Sequence, residues 1–369
     1  MFLIVFLLYL ITIYIPLVLI GIFLPLLMKK TLLFGVVIPE ELSDREEVVE
    51  IRKRYIRNSS ISAIFISIVI NIFAIMFQSM DVLLMGIIVL IVLFGINYVD
   101  VHKKAKTLKA EKKWTIDKKQ MVVVNTSKPE EEKNSLSYYW GLPLLIMLFT
   151  FLFTFVQYSG LSEEIPHQFD IVGNPVSYRQ TNFWNVFLLP LTQLGISITF
   201  YGVYKILQKA KISIQARRPL ASFIQNQLAK KYWIVYILIT NVVLNLYLAY
   251  IQLTVLEVIT PTTAVNVLIY GFGVAIPVIG AIYVSMKTGQ SGNRIKVDVA
   301  EEVDDEIIDR DDDQHWKWGL FYYNPHDPTV FIEKRFGIGW TINWGRPLGI
   351  VLVLGTIAII MVSLIPLFR

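Results

Sequence analysis

Eight stretches of this chain, each between 18 and 27 residues long, contain no aspartate, glutamate, lysine or arginine. They are Phe2–Met28, Ile61–Met80, Val82–Val99, Gly141–Leu161, Phe183–Tyr204, Tyr232–Gln252, Val265–Met286 and Leu348–Phe368. A helix rises about 1.5 Å per residue, so roughly 20 apolar residues match the hydrocarbon layer of a bilayer. Lipid offers no partner to backbone N–H and C=O groups, which leaves the helix as the spanning form for such runs. The first run lacks a basic leader and an A-x-A-like cleavage site and is too long for a signal peptide, so it is expected to be a helix. Prolines at 16, 25, 143, 190 and 277 fall inside runs, where neighbouring helices can re-satisfy the freed backbone groups.

The basic residues alternate between connectors. Those after runs one, three, five and seven hold 7, 10, 7 and 8 lysines and arginines, which is 32 of the 34 in the chain. The other side holds Arg179 and Arg369. Cytoplasmic loops carry the excess of Lys and Arg, so both termini are expected outside, and residues 162–182 with them. The net charge of +5 is thereby a topology signal facing an anionic inner leaflet. No basic run is interleaved with base-stacking aromatics, so direct nucleic-acid binding is not expected. The expected fold class is an all-α polytopic membrane protein of the cell membrane, with about eight transmembrane helices, N-out and C-out. A short hairpin-like or irregular cytosolic module precedes the last helix. Its parts are residues 1–137 (three helices with an amphipathic helix and a basic loop), 138–286 (four helices with an outer loop at 163–182), 287–347 (acidic linker and aromatic, glycine-rich module) and 348–369 (the last helix).

Chemistry is limited by what is missing. The chain has no cysteine, hence no disulfide, thiolate metal site or Cys nucleophile. No charged group lies inside a run, whereas ion-coupled transporters normally carry one at depth. No H-E-x-x-H, G-x-S-x-G or paired intramembrane aspartate occurs, so neither an enzyme nor a cofactor or metal is expected. Asn71, Asn97, Asn185, Gln193, Thr240, Asn241 and Asn245 are the polar residues at depth. Asn241 and Asn245, four apart, share a helix face and read either as interhelical hydrogen bonding or as a polar translocation stripe.

On the inner side, Ser43–Asn58 reads as an amphipathic helix with the capping box Ser43-x-x-Glu46 and the apolar stripe Val48, Ile51, Tyr55. Val297–Gln314 is acidic without calcium-loop spacing and reads as a solvated linker. His315–Gly349 is rich in aromatics and glycine. Its VFIEKRFGIGWTINW segment alternates like a hairpin, whose apolar side must be covered by helices or by the headgroup layer. Pro347 is placed to open the last helix.

The outer connection, EEIPHQFDIVGNPVSYRQ, combines Pro166, His167, Gln168, Phe169, Asp170, Gly173, Asn174, Tyr178 and Arg179. Pro166 favours an extended start and Gly173-Asn174-Pro175 a turn. A proline, an aromatic, an Asp, a Gly three residues on and a Tyr-Arg pair between two membrane helices resembles the SdpI-like bacterial membrane proteins, over roughly Pro143 to Pro190. The family order is Pro-x-His-aromatic. Here Gln168 stands at the histidine position, and no role that needs that imidazole carries over. FGVVIPEELSDREEV and NPHDPTVFIEKRFGIGWTINWGRPLG also resemble extensions of uncharacterised membrane proteins from spore-forming and related Gram-positive bacteria. The resemblance implies immunity to an exported peptide and recruitment of a transcriptional repressor. The expected partners are therefore the lipid bilayer, an extracellular peptide, and a cytosolic repressor or membrane partner. The alternatives are a transporter for a small apolar or zwitterionic solute, using Asn241 and Asn245, or a membrane scaffold.

Overall fold

The computed structural model describes residues 2–114, 119–121, 135–170, 173–210, 212, 214–260, 262–299, 307–309 and 311–364. The helices are α1 (Phe2–Leu27), α2 (Glu46–Phe77), α3 (Met80–Lys112), α4 (Gly141–Gln157), α5 (Phe183–Lys209), α6 (Pro219–Val255), α7 (Thr263–Thr288) and α8 (Pro347–Leu364). Among the described residues seven helices are long and apolar enough to cross a membrane, these being α1 to α7. Among the described residues the strands form five two-stranded pairs. They are β1 (Leu32–Leu33) with β2 (Val36–Val37), β3 (Lys119–Met121) with β6 (Ile307–Asp309), β4 (Glu164–Phe169) with β5 (Pro175–Gln180), β7 (Trp316–Lys317) with β8 (Phe321–Tyr322), and β9 (Phe331–Glu333) with β10 (Trp340–Ile342).

The chain divides into two compact units. The first comprises Met1–Leu17, Thr126–Gln208 and Lys230–Val284. The second comprises Val18–Asn125, Lys209–Ala229 and Ser285–Arg369.

In the second unit the expected amphipathic helix and the following span are one continuous rod, α2. Val48, Ile51 and Tyr55 are buried as the stripe required, against Leu33, Phe34, Val36, Tyr98 and Val101. The capping box does not form. Extended Arg45 precedes the helix, no side chain caps it, and the Ser43 hydroxyl is buried without a hydrogen bond. A 3₁₀ turn over Glu40–Leu42 uses the Ser43 N–H, and Arg52 donates to the Ser43 carbonyl at 3.1 Å, which leaves Ser43 two residues short of the cap position. The β1–β2 turn, Phe34-Gly35, has positive φ at both residues, as a tight hairpin turn requires. The expected hairpin in residues 330–344 is β9–β10, with Trp340 opposite Glu333 and Ile342 opposite Phe331. Pro347 opens α8 as expected.

In the first unit, α4, α5 and α6 meet at their ends around Ile165, Val186, Phe187, Val255 and Leu256. Of the aromatics near the starts of α4 and α5, Tyr138 and Trp184 are exposed. Trp140 is instead buried, stacked on Tyr204 at 4.7 Å.

Candidate functional site

The connection between α4 and α5 is a β-hairpin. Its ladder pairs Glu164 with Gln180, Ile165 with Arg179 and Pro166 with Tyr178, then shifts to Gln168–Ser177 and Phe169–Pro175. One extra residue, His167, falls on β4 and one, Val176, on β5, so two bulges compensate and the strands end together. A proline in a two-stranded ribbon costs no ladder bond when its nitrogen faces away from the partner, and both strands here are edges. The turn is built by Asp170. Its Oδ1 accepts the N–H groups of Gly173 and Asn174, each at 2.8 Å, and its own N–H donates to the Asn174 carbonyl at 2.9 Å. Gly173 has φ +100°, open only to glycine at low cost. Ile171 and Val172 lie outside the described residues.

Ile165 and Pro166 are buried, and Phe169 packs on the cluster at the ends of α4, α5 and α6. The base is laced by Thr181, whose N–H donates to the Glu163 carbonyl at 2.8 Å and whose hydroxyl donates to the Ser162 carbonyl at 2.6 Å. Gln168, Val176 and Tyr178 are exposed, Val176 at 65% and Tyr178 at 53%. Burial, with the Arg179 guanidinium adding to it, holds the His167 imidazole below its ordinary range, so it is neutral at pH 7. The nine residues singled out from sequence therefore divide. Pro166 and Phe169 seat the hairpin, Asp170, Gly173 and Asn174 shape its turn, His167 forms a bulge, and Gln168 and Tyr178 face outward beside half-exposed Arg179.

Beneath the hairpin, in the same unit, runs a buried seam of uncharged polar groups. Asn245 donates to the Asn241 carbonyl and side-chain oxygens at 2.9 Å and to the Ser197 hydroxyl at 3.1 Å. Gln193 donates to the Asn245 carbonyl at 2.8 Å and to Thr150 at 3.4 Å. Gln252 donates to Thr154 at 3.2 Å and to the Val186 carbonyl at 3.0 Å. Asn245 thus joins α6 to α5, which is the interhelical role, and Asn241 is bonded to it within α6. Thr150, Thr154, Ser197 and Gln252 are members that sequence reading missed. Their signal was the four-residue spacing of 150/154 and 193/197, repeating that of 241/245.

The second unit buries charge instead. Arg335, 6% exposed, reaches Asp312 and Asp313 and donates to the Gly35 carbonyl at 2.9 Å. Lys109 meets Asp311 and Asp313 at 2.6 Å each. Lys29, also buried, pairs with Glu333 at 3.0 Å. Burial alone would raise the Asp313 carboxyl, but Arg335 and Lys109 outweigh it and hold it below the usual carboxylate range. Asp311–Asp313 are therefore not part of a solvated linker, because three cationic and backbone donors converge on them; 300–306 and 310 lie outside the described residues. Asn343, fully buried, organises the rest. Its amide donates to the carbonyls of Asn324, Asp327 and Thr329, and its oxygen accepts the N–H groups of Asn324 and Gly345.

Residues 145–194 match a domain of unknown function, DUF1648. That stretch contains most of α4, the whole hairpin and the start of α5 through Leu194. Residues 325–350 match a family of unknown function, DUF5808, over the Asn343-centred segment and the start of α8. No curated protein matches the chain, and no solved structure does. Apolar helices and two uncharacterised domains are what this chain shares with other proteins; among the described residues no group of three His, Asp or Glu side chains is placed to hold a metal ion.

Proposed function

We propose that the chain is an SdpI-like protein of the cell membrane that crosses it eight times, both ends outside, and that hairpin β4–β5 engages an envelope-active peptide arriving from outside. The cytosolic loops, in this reading, recruit a regulator. The segregation of 32 of 34 basic residues to alternate connectors supports the topology. The observation that carries the ligand reading is the outer face of the hairpin. Val176 and Tyr178 stand exposed on a ribbon that is seated by Ile165 and Phe169 and whose turn is locked by Asp170. An exposed apolar and aromatic pair on a rigid edge suits an amphipathic peptide, which can add along the strand or lay its apolar side on the pair.

The seam favours no transport reading. Asn245 is spent on α5 and Asn241 on Asn245, and a translocation stripe needs polar groups facing a path.

The test is a deletion strain challenged with secreted peptides and envelope antibiotics. Sensitivity should rise for at least one peptide and be reversed by the parent chain, but not by Val176→Asp/Tyr178→Ala. Unchanged survival and transcription across the whole panel would sink the proposal.

A further inference from the structure

The hairpin β7–β8 in the second unit divides its aromatics between two faces. Trp316 and Tyr322 pair across the ladder and are buried, while Lys317, Trp318, Phe321 and Tyr323 are exposed. Trp344 meets the Phe321 ring at 6.0 Å. Lys317, Phe321, Tyr323 and Trp344 line an open groove of about 440 Å³ with apolar walls. Trp318 is held with φ +53°, a costly conformation for a bulky residue. The turn is fixed from behind, where Tyr98 donates to the Trp318 carbonyl at 2.9 Å. A Cβ on Gly319 would meet the Tyr98 hydroxyl at 2.8 Å and the Gly35 Cα at 2.9 Å, so no other residue lets the turn sit there.

Two independent markers give the depth of this face. Tyr98 is the next-to-last residue of the uncharged run Val82–Val99, and Asp100 follows it, so the Trp318 turn rests where α3 leaves the apolar layer. Trp344 stands four residues before the uncharged run Leu348–Phe368, so the groove abuts the start of α8. Tryptophan and tyrosine at such boundaries settle in the headgroup layer, and a lysine there keeps its stem in apolar surroundings and its ammonium at the phosphates.

We infer that this groove takes a phospholipid of the cytoplasmic leaflet. Its glycerol and upper acyl carbons lie against Phe321, Tyr323 and Trp344, and its phosphate lies against Lys317. The inference rests on the reading that residues 348–368 cross the membrane, and the test separates the two.

The chain has no cysteine, so single cysteines can be placed at will. Tyr323→Cys, His326→Cys and Leu354→Cys variants of the full chain would each carry a nitroxide in vesicles of phosphatidylcholine and phosphatidylglycerol. Collision with oxygen and with a water-soluble nickel chelate reports depth. The label at 323 should be shielded from nickel severalfold relative to 326 while remaining open to oxygen, and 354 should lie deeper than both. Lys317→Glu should raise nickel access at 323 without changing 354. A label at 323 as open to nickel as that at 326, with 354 deep, overturns the inference and leaves the crossing intact. Shielding of 323 from both reagents marks a protein, such as a second copy, in the groove and also overturns it. Nickel access at 354 overturns the crossing, and the inference with it.

Discussion

The two units bury polar groups in opposite ways. In the first, the seam between α4, α5 and α6 is built of amides and hydroxyls, and none of its members carries charge. In the second, Arg335, Lys109 and Lys29 are drawn inside with Asp311, Asp312, Asp313 and Glu333. Neutral groups can be packed in hydrocarbon for the cost of partial hydrogen bonding, whereas an ion there needs both a counter-ion and donors. The contrast teaches that losing a member should be mild in the seam and severe in the ionic knot. In the seam, the unfolded chain in a membrane also finds partners. In the knot, a single deletion strands a buried charge.

The largest effect should follow Arg335→Met. It removes the ion pairs to Asp312 and Asp313 and leaves Lys109 as the cation paired with Asp313, and we expect a loss of about 3–5 kcal/mol, read by denaturant unfolding in detergent. The same pair sets an acid limit. A carboxylate whose folded pKa is depressed contributes stability that is complete above its unfolded value, about 3.9, and is lost as pH falls through the folded value. The second unit should therefore hold from pH 7 to 5 and weaken only below about 4, with that acid step removed by Asp313→Asn.

Next comes Asn343→Ala, which strands three carbonyls and two N–H groups; roughly 2–3 kcal/mol is expected, with hydrogen exchange accelerating over residues 324–329. Asn245→Leu should cost less, about 0.6–1.7 kcal/mol by the same unfolding assay. A seam variant as costly as Arg335→Met would break the comparison.

The smallest effect is that of His167. Its folded pKa is lowered, so the unfolded chain binds the proton better and stability falls as pH drops below about 6.5. The protection of β4 and β5 amides against hydrogen exchange, corrected for the intrinsic rate, should fall between pH 7 and 5, and His167→Gln should abolish that dependence.

Much of this was legible in the sequence. Uncharged run lengths gave α1 and α3 to α8, and alternation in VFIEKRFGIGWTINW gave β9–β10, because burial periodicity is local. The Val48, Ile51, Tyr55 stripe was legible for the same reason. What sets the cap of α2 was not, since a turn over residues 40–42 moved Ser43 out of place. Nor was the knot: an acidic run looks solvated until Lys109 and Arg335, distant in sequence, are brought to it. In the β4–β5 hairpin, Gly173 and Asn174 announced the turn, whereas the bulge at Val176, and hence its exposure beside Tyr178, depends on register that no single residue encodes.

In the proposed topology the β4–β5 hairpin faces the outside of the cell and the aromatic module faces the cytosol. Cysteine accessibility tests this most directly, since the natural chain offers no background thiol. Tyr178→Cys and His326→Cys are placed at exposed positions of the two segments. In intact cells a membrane-impermeant maleimide should label 178 at once and 326 only after lysis. Labelling of 326 in intact cells, or protection of 178 until lysis, would contradict the account.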